Sequence, residues 1–296
     1  MSGFHHVPVL FEETITVLEP GPGKRYVDCT LGGGGHTRAL LERTAPDGRL
    51  LAIDRDPAAI QNAEALRAEF GDRLVVRKGT FDQVIELARA EGFDEVDGIL
   101  ADVGTSSPQL DTPERGFSFQ AEGPLDMRMD PSSGETALEL IARLSTEELA
   151  DGLYKFGDER RSRAIARAIH ASLEAGTLET TADLRRAVVK VLGPKKGKID
   201  PATRTFQALR IMVNDELGQL ERLLARAPEL LRVGGVFAVI SFHSHEDRLV
   251  KWAFREDARL EPITKKPVVA TDAELERNPR ARPAKLRAAR RVEVTP

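Results

Sequence analysis

The sequence predicts an α/β protein in which a mainly parallel sheet is interrupted by an inserted helical domain. Between residues 25 and 103, short apolar runs alternate with Ala-, Leu-, Glu- and Arg-rich stretches of helical spacing, the pattern of β-α-β units. From about 112 to 227 no strand pattern occurs, and an apolar run at 236–242 then resumes the sheet. We therefore expect a first part of the sheet domain at 1–111, a helical insert with an aromatic loop at 112–208, and a second sheet part at 209–296 that ends in a basic segment.

The predicted elements follow in order. Helices are expected over 36–43, 57–69 and 81–91, and Ser145 with Glu148 forms a Ser-x-x-Glu capping box that begins another. Apolar residues at spacings of three and four between Phe206 and Leu224 predict one long amphipathic helix that leads back to the sheet. Seven short runs are predicted as strands: 26–31, 50–53, 74–76, 96–103, 236–242, 260–264 and 291–295.

Composition excludes several classes of protein. The 296 residues are 41% hydrophobic and 30% charged, as in globular domains, and not as in collagenous or disordered chains. No apolar run approaches the roughly 20 residues of a membrane helix, and no secretory pattern opens the chain. The single cysteine, Cys29, excludes an internal disulfide. We expect a cytoplasmic protein with no membrane partner.

Charge is distributed unevenly along the chain. The net charge is −4, yet 154–210 holds thirteen Lys and Arg against six Asp and Glu, and 277–291 holds seven against none. Basic segments of this kind can bind phosphate. The alternative is that residues such as Arg160, Arg161 and Arg163 only solvate the outer face of a helix. For any single arginine the alternative is favoured, whereas for the whole set phosphate contact is favoured.

Four consecutive glycines, Gly32 to Gly35, follow the first predicted strand and precede a helix. Such a run is tolerated where the backbone takes positive φ or approaches a ligand closely. Asp54 ends the next strand, where a carboxylate can accept both hydroxyls of a ribose. Together the loop and Asp54 indicate a ligand that contains a nucleoside.

The identity of that ligand is narrowed by patterns that fail to match. A dinucleotide loop needs G-x-G-x-x-G or a final Ala, but Thr37 or Arg38 stands at the last position, and a phosphate-binding Gly-Lys-Ser/Thr is absent. S-adenosyl-L-methionine is favoured, with Asp28 suited to its ammonium group. A nicotinamide oxidoreductase and a nucleotide-responsive RNA-binding protein without catalysis stay open as alternatives.

Nine sequence blocks carry a resemblance to a known family: 6–10, 28–36, 51–57, 102–110, 115–119, 123–130, 205–210, 241–244 and 278–282. They resemble the bacterial small-subunit ribosomal RNA cytidine N4-methyltransferases (ribosomal RNA small subunit methyltransferase H). The resemblance covers nearly the whole chain and implies a Rossmann-like class I S-adenosylmethionine-dependent methyltransferase sheet of seven strands with a helical insert for substrate recognition. Two departures, His245 where Leu is usual and Pro283 where Ser is usual, fall outside cofactor positions.

The resemblance also implies an activity and a cofactor site. The implied reaction transfers a methyl group from S-adenosyl-L-methionine to the N4 amine of a cytidine in the decoding region of 16S ribosomal RNA. The implied partner is that RNA within an assembled or nearly assembled 30S particle, with naked RNA left open as the alternative, and a homodimer stays open as the oligomeric state. The implied cofactor contacts are Gly34, Gly35, His36, Asp54, Phe81, Asp102 and Gln109.

Methyl transfer from a sulfonium is an in-line displacement that needs positioning and a proton acceptor. Asp102, at the end of the fourth predicted strand, is the candidate acceptor, with Ser106 and Ser107 as catalytic neighbours. The equally open alternative is that Asp102 only binds the cofactor. No metal is expected, because His243 and His245 lack a third ligand of recognisable spacing. Cys29 lies inside a strand, which disfavours a cysteine nucleophile.

RNA contacts are expected from one aromatic and several cationic side chains. Phe117 could form a wall for a base that has left its stack, although core packing is the alternative for a phenylalanine in this loop. The candidate phosphate contacts are Lys195, Lys196, Lys198, Arg280 and Arg282.

Overall fold

The computed structural model describes residues 8–195, 197 and 200–294. The chain divides into two compact units. The sheet unit comprises the chain up to Gly104 together with Leu217 onward, and the helical unit comprises residues 105–216. The sequence-based boundaries were 112 and 208, so the helical unit takes in a further stretch of chain at each end.

The sheet unit contains seven strands in the order β3-β2-β1-β4-β5-β7-β6. The pairs among β1 to β5 are parallel, whereas β7 is antiparallel to both of its neighbours, β5 and β6. The α/β fold that the sequence predicts is confirmed. The strands are β1 (Arg25–Asp28), β2 (Arg49–Asp54), β3 (Leu74–Lys78), β4 (Val96–Asp102), β5 (Leu231–Ser241), β6 (Leu260–Pro262) and β7 (Lys285–Arg291).

Fourteen α-helices occur in the described part of the chain. The predicted stretch 57–69 forms two of them, and 81–91 begins with a 3₁₀ turn at Phe81–Gln83. They are α1 (Phe11–Leu18), α2 (Gly35–Arg43), α3 (Pro57–Asn62), α4 (Glu64–Phe70), α5 (Val84–Ala90), α6 (Ser107–Asp111), α7 (Ala137–Arg143), α8 (Thr146–Gly157), α9 (Ser162–Glu174), α10 (Thr181–Leu192), α11 (Thr203–Asn214), α12 (Glu216–Arg226), α13 (Ser244–Glu256) and α14 (Asp272–Arg277). None of these helices is both long and apolar enough to cross a membrane.

Helices cover both faces of the sheet. Along β2, Leu51 and Ile53 enter one core with side chains of α5, α12 and α13, while Leu50 and Ala52 enter a second core with side chains of α1, α2 and α4. Successive side chains of a strand point to opposite faces, so a strand buried on both faces is apolar throughout. Within these strands, polar residues that could bind a ligand are therefore confined to the strand ends.

The helical unit is built around α8, which packs against α9 and α11, while α9 also packs against α10. Capping boxes begin α7, α8 and α10, and the predicted Ser145–Glu148 box is confirmed. Glycine permits the close approach of α8 to α11, because a Cβ on Gly157 would lie 2.6 Å from the Arg204 carbonyl oxygen. The core of this unit includes Leu153, Ile165 and Phe206.

The strand predicted at 291–295 is wrong. The last strand is Lys285–Arg291, residues 292–294 are irregular, and Thr295 lies outside the described residues. The strand Lys-Leu-Arg-Ala-Ala-Arg-Arg contains a buried charged side chain, because Arg287 is only 8% exposed. Asp247 neutralises it through a 2.7 Å contact with Nε, which is why a charged residue can occupy this position.

The single long helix predicted from Phe206 to Leu224 is also wrong. It is broken at Asp215, whose φ of 49° is left-handed, so α11 ends at Asn214 and α12 begins at Glu216. The buried Asn214 side chain accepts from the Met129 amide and donates to the Met127 carbonyl, both at 2.8 Å. These long-range bonds fix the end of α11, and apolar spacing cannot show them.

Candidate active site

Three carboxyl groups stand at the ends of neighbouring parallel strands. Asp28, Asp54 and Asp102 are the last residues of β1, β2 and β4, which are adjacent in the sheet. The carboxyl ends of parallel strands form the edge where ligands bind in open α/β sheets. The fold therefore brings together three acidic residues that are far apart in sequence.

Asp54 links β2 to the glycine loop. Its Oδ2 accepts from the Gly32 amide at 2.8 Å, and its Oδ1 accepts from the Asp56 amide at 2.9 Å. Burial raises the pKa of Asp54 to about 6, against the opposing effect of these two amides. The carboxylate thus fixes the start of the loop beside the strand end.

The glycine loop needs glycine for two reasons. Gly32 and Gly34 have φ values of 49° and 75°, in the left-handed region. A Cβ would lie 2.4 Å from Leu66 Cδ1 at Gly34 and 2.3 Å from a carbon of Pro8 at Gly35, whereas at Gly33 nothing described lies within 4 Å. Close packing against the protein itself explains Gly34 and Gly35. Since Gly34 has no capping side chain, the first N–H groups of α2 can donate to an anion.

Asp28 is buried, with 1% exposure. Its Oδ1 accepts from the Thr30 amide at 3.0 Å, and its Oδ2 accepts from the Thr37 hydroxyl at 2.7 Å. Burial raises its pKa. These bonds join β1 to α2, and contact with an ammonium group stays a prediction.

Asp102 differs from Asp28 in the hydrogen bonds of its carboxyl group. Its backbone N–H donates to the Thr30 hydroxyl at 2.7 Å, and its Oδ2 lies 4.0 Å from His36 Nδ1. Its Oδ1 is buried and accepts no hydrogen bond from the described residues, although 25% of the side chain is exposed. Burial, followed by the charges of Asp28 and Glu246, raises the pKa of Asp102 to about 8. The site therefore contains a carboxyl oxygen with unused acceptor capacity.

His36 is fixed by the start of α1 (Phe11–Leu18) and the residue before it. Its ring is 6% exposed and stacks on Phe11, with centroids 6.0 Å apart and planes 19° from parallel. The Leu10 amide donates to Glu274 at 2.8 Å, which ties this segment to α14. The sequence argument singled out His36 but missed Phe11, whose spacing from His36 gives no signal.

Sequence reasoning also missed Glu246, which is 2% exposed. Its Oε2 accepts from the amides of Phe242 and His243 at 2.7 and 3.1 Å, and its Oε1 lies 3.1 Å from His243 Nε2. His243 caps α13 by accepting from the Glu246 amide at 3.3 Å. The signal was present as a capping-box spacing in which His replaces Ser or Thr. No group of three His, Cys, Asp or Glu side chains suited to a metal occurs among the described residues.

The other predicted residues fall in several places. In the helical unit Ser106 and Gln109 form the capping box of α6. The Ser106 amide donates to Gln109 Oε1 at 3.0 Å, and Ser107 is buried.

Among the predicted RNA contacts, Phe117 is 7% exposed. Its neighbour Phe119 packs edge-on against Phe206, with ring centroids 4.9 Å apart. Lys195 is exposed, whereas Lys196 and Lys198 lie outside the described residues. In the sheet unit Phe81 is half-buried after β3, and Arg280 and Arg282 are exposed after α14.

The site suits a cationic nucleoside cofactor. Buried carboxyls with raised pKa favour a ligand that brings positive charge, and S-adenosyl-L-methionine carries a sulfonium and an ammonium group. The buried Asp102 Oδ1 is available as an acceptor, and the N–H groups that begin α2 suit a carboxylate. The seven-stranded sheet and this strand-end site define a class I S-adenosyl-L-methionine-dependent methyltransferase.

Comparisons with known proteins agree with this class of protein. The model of the MraW methylase family matches residues 3–292, and the chain belongs to this family. Its sequence is 59% identical to Ribosomal RNA small subunit methyltransferase H of Sorangium cellulosum, over 98% of this chain and 92% of the relative. Identity is 54% to the Synechococcus sp. (strain CC9902) protein of that name, over 99% of both chains, and 49% to that of Thermomicrobium roseum, over 97% and 94%. A solved structure, that of PH0851, shares the fold at a TM-score of 0.50 and 13% identity, over 99% of this chain and 49% of that chain.

Proposed function

We propose that this protein transfers a methyl group from S-adenosyl-L-methionine to the N4 amine of a cytidine in the decoding region of small-subunit (16S) ribosomal RNA. The observation that carries the proposal is the strand-end site with Asp102 in a family of methylases. Near full-length relatives named as ribosomal RNA small subunit methyltransferases support the substrate. The reaction belongs in the cytoplasm, where ribosomal subunits are assembled.

The proposed cofactor contacts are distributed around the strand ends. Asp54 accepts the ribose hydroxyls, the first turn of α2 at Gly34, Gly35 and His36 receives the amino-acid tail, and Asp102 lies next to His36. Phe81 and Gln109 are proposed as further contacts, on the resemblance alone.

The bound cofactor supplies an electrophilic methyl carbon. Transfer of that methyl group to the cytidine nitrogen would release one proton from the nitrogen. We assign that proton to the carboxylate of Asp102, because this group has a buried oxygen without a donor among the described residues. Ser106 and Ser107 are proposed neighbours of the amine.

RNA contacts are proposed for Phe117, Lys195, Lys196, Lys198, Arg280 and Arg282. A base-stacking role for Phe117 needs the ring to become accessible, since it is 7% exposed. Basic segments occur in both units and can contact phosphate. An assembled or nearly assembled 30S particle is the proposed form of the substrate, on the resemblance alone.

The test is mass spectrometry of small-subunit RNA nucleosides from cells with and without the protein, followed by transfer of labelled methyl by the purified protein to RNA and to 30S particles from the deficient cells. We expect N4-methylcytidine to disappear in the deficient cells and to be restored in vitro. Tight S-adenosylhomocysteine binding without methyl transfer would favour a binding protein, and NAD binding an oxidoreductase. Either result would contradict the proposal.

A further inference from the structure

Four helix termini of the helical unit meet at one end of the bundle. Arg161, at the start of α9, donates to the Val191 carbonyl near the end of α10. Arg204, in the first turn of α11, donates to the Asp158 carbonyl directly after α8, at 3.4 Å. The close approach at Gly157 holds α8 and α11 together at the same place. The ends of α8 and α10 and the starts of α9 and α11 therefore share one surface.

That surface carries seven exposed cations. They come from all four helices, from the segment between α8 and α9 and from the segment after α10, although they are spread over about 50 residues of sequence. We call this surface the basic end. Its cations are Lys155, Arg160, Arg161, Arg163, Lys190, Lys195 and Arg204.

The acidic residues there offset this charge only partly. Glu159 is buried, with 6% exposure, and accepts from the Arg161 amide. Asp200 is taken by Arg185, 2.8 Å away. Asp158 is the exposed carboxylate of this end. The local charge is therefore strongly positive in a protein whose net charge is negative.

The arginines of the basic end differ from others of the same unit. Arg143, Arg186 and Arg210 form ion pairs with Glu135, Asp183 and Glu216. Arg160, Arg161, Arg163 and Arg204 pair with no carboxylate of the described residues. Unpaired guanidinium groups are suited to bidentate contact with phosphate. Tyr154, 63% exposed in the last turn of α8, adds an aromatic face on which a base or ribose can rest.

We propose that the basic end is a docking surface for the phosphate backbone of the RNA substrate, separate from the residues of the methyl-transfer site. The proposal rests on the proposed function for the identity of the RNA. It assigns binding, not catalysis, to Arg160, Arg163 and Arg204, so their loss weakens the hold on RNA and leaves the cofactor site as it is.

The test compares two double variants with the same change in charge. Arg160→Gln/Arg163→Gln removes two unpaired arginines of the basic end, and Arg143→Gln/Arg186→Gln removes two exposed arginines that are paired with carboxylates. Arg161 is left in place because it caps α10. Affinity for a transcript of small-subunit ribosomal RNA is measured by filter binding at several salt concentrations, with S-adenosylhomocysteine affinity and thermal unfolding as checks of the fold.

Each lost phosphate contact lowers the slope of log affinity against log salt by about 0.7 to 0.9. We expect the basic-end variant to lose about 1.4 to 1.8 from this slope, and the control to stay close to the wild type. If the two variants have equal slopes and the wild type methylates the RNA, the docking surface is overturned and the proposed function is not. A wild type that neither binds nor methylates the transcript or 30S particles from deficient cells overturns the proposed function as well. The basic-end variant could instead lose binding to a polyglutamate probe while its RNA slope equals that of the control. This result would assign the surface to an acidic protein and overturn the RNA proposal.

Discussion

At the scale of single residues, Asp102 combines an acceptor oxygen with an environment that resists its ionisation. Burial and the charges of Asp28 and Glu246 raise its pKa to about 8. A bound sulfonium has the opposite effect, because positive charge close to a carboxyl stabilises its ionised form. Cofactor binding and ionisation of Asp102 should therefore favour each other, which would prepare the proton acceptor when the methyl donor is present.

Asp102→Asn keeps the shape of the side chain but removes its proton-accepting capacity. We expect single-turnover methyl transfer to fall by about 10² to 10⁴, the usual contribution of a general base. S-adenosylhomocysteine affinity, measured by calorimetry on the same folded preparation, should change much less. Near-normal turnover at saturating cofactor, with strongly weakened cofactor binding, would limit Asp102 to holding the cofactor.

The raised pKa of Asp102 also predicts how stability depends on pH. A carboxyl whose pKa rises from 3.8 to about 8 on folding binds more protons in the folded state, so its stabilising contribution is complete below about pH 4 and is lost as pH rises to about 8. Asp102→Asn cannot lose a proton. The free energy of unfolding of the ligand-free variant, measured in urea relative to the wild type, should therefore increase from pH 5 to pH 8 and then level off. A difference independent of pH would show that Asp102 ionises normally.

At the scale of elements, the glycine loop is shaped by its packing against Pro8 and Leu66. Gly34 combines a φ of 75° with the Leu66 contact, while Gly33 has neither a left-handed φ nor a described neighbour within 4 Å. The sequence showed that glycines are needed here. It could not show which of the four is constrained, because Leu66 contacts the loop from a helix that is distant in sequence.

Gly34→Ala should destabilise the protein by about 1 to 3 kcal/mol and weaken S-adenosylhomocysteine binding, because the added methyl group strains the backbone and displaces Leu66. Gly33→Ala is the matched control and should stay within about 0.5 kcal/mol of the wild type. Denaturant unfolding of both variants measures the difference. Equal midpoints for the two would contradict this account of the loop.

Asn214 is the second element-scale case, since one side chain ends α11 and fixes the 127–129 backbone. Asn214→Ala leaves the Met129 amide and the Met127 carbonyl without these partners, and we expect a loss of about 1 to 3 kcal/mol. Thr177→Ala, at an exposed hydroxyl that donates to the Ser172 carbonyl, is the control and should cost less than about 0.5 kcal/mol. Faster hydrogen exchange at the Met129 amide should accompany the loss. Unchanged exchange there would show that Asn214 does not hold this segment.

The parts of the fold that the sequence predicts depend on local patterns, whereas β7, which it did not predict, depends on a partner that is distant in sequence. The strands β1 to β6 follow from apolar runs, and Asp28, Asp54 and Asp102 stand at the ends of three of them, so the sequence shows these features. The strand β7 was missed because Arg287 is buried only through its distant partner Asp247. The buried Glu246 was missed for another reason, because its capping-box spacing has His243 in place of the usual Ser or Thr.

At the scale of the whole molecule, negative net charge coexists with two strongly basic segments. RNA binding should therefore depend steeply on salt, whereas binding of the small cofactor in a buried site should depend on it weakly. Between 50 and 200 mM salt we expect RNA affinity to fall by at least about tenfold, with a much smaller change for S-adenosylhomocysteine. Filter binding and calorimetry across the same salt series check this. Equal salt dependence for both ligands would count against phosphate contact.

The position of β7 between β5 and β6 has a consequence for biosynthesis. The helical unit is one continuous stretch of chain, so all of its residues have been synthesised before β5 begins. The sheet lacks its β5–β7 and β6–β7 pairs until Arg291 has been synthesised, and the Asp247 partner of Arg287 waits equally long. Nascent chains halted before residue 285 should therefore expose the edge of β5, which makes them candidates for chaperone binding and proteolysis.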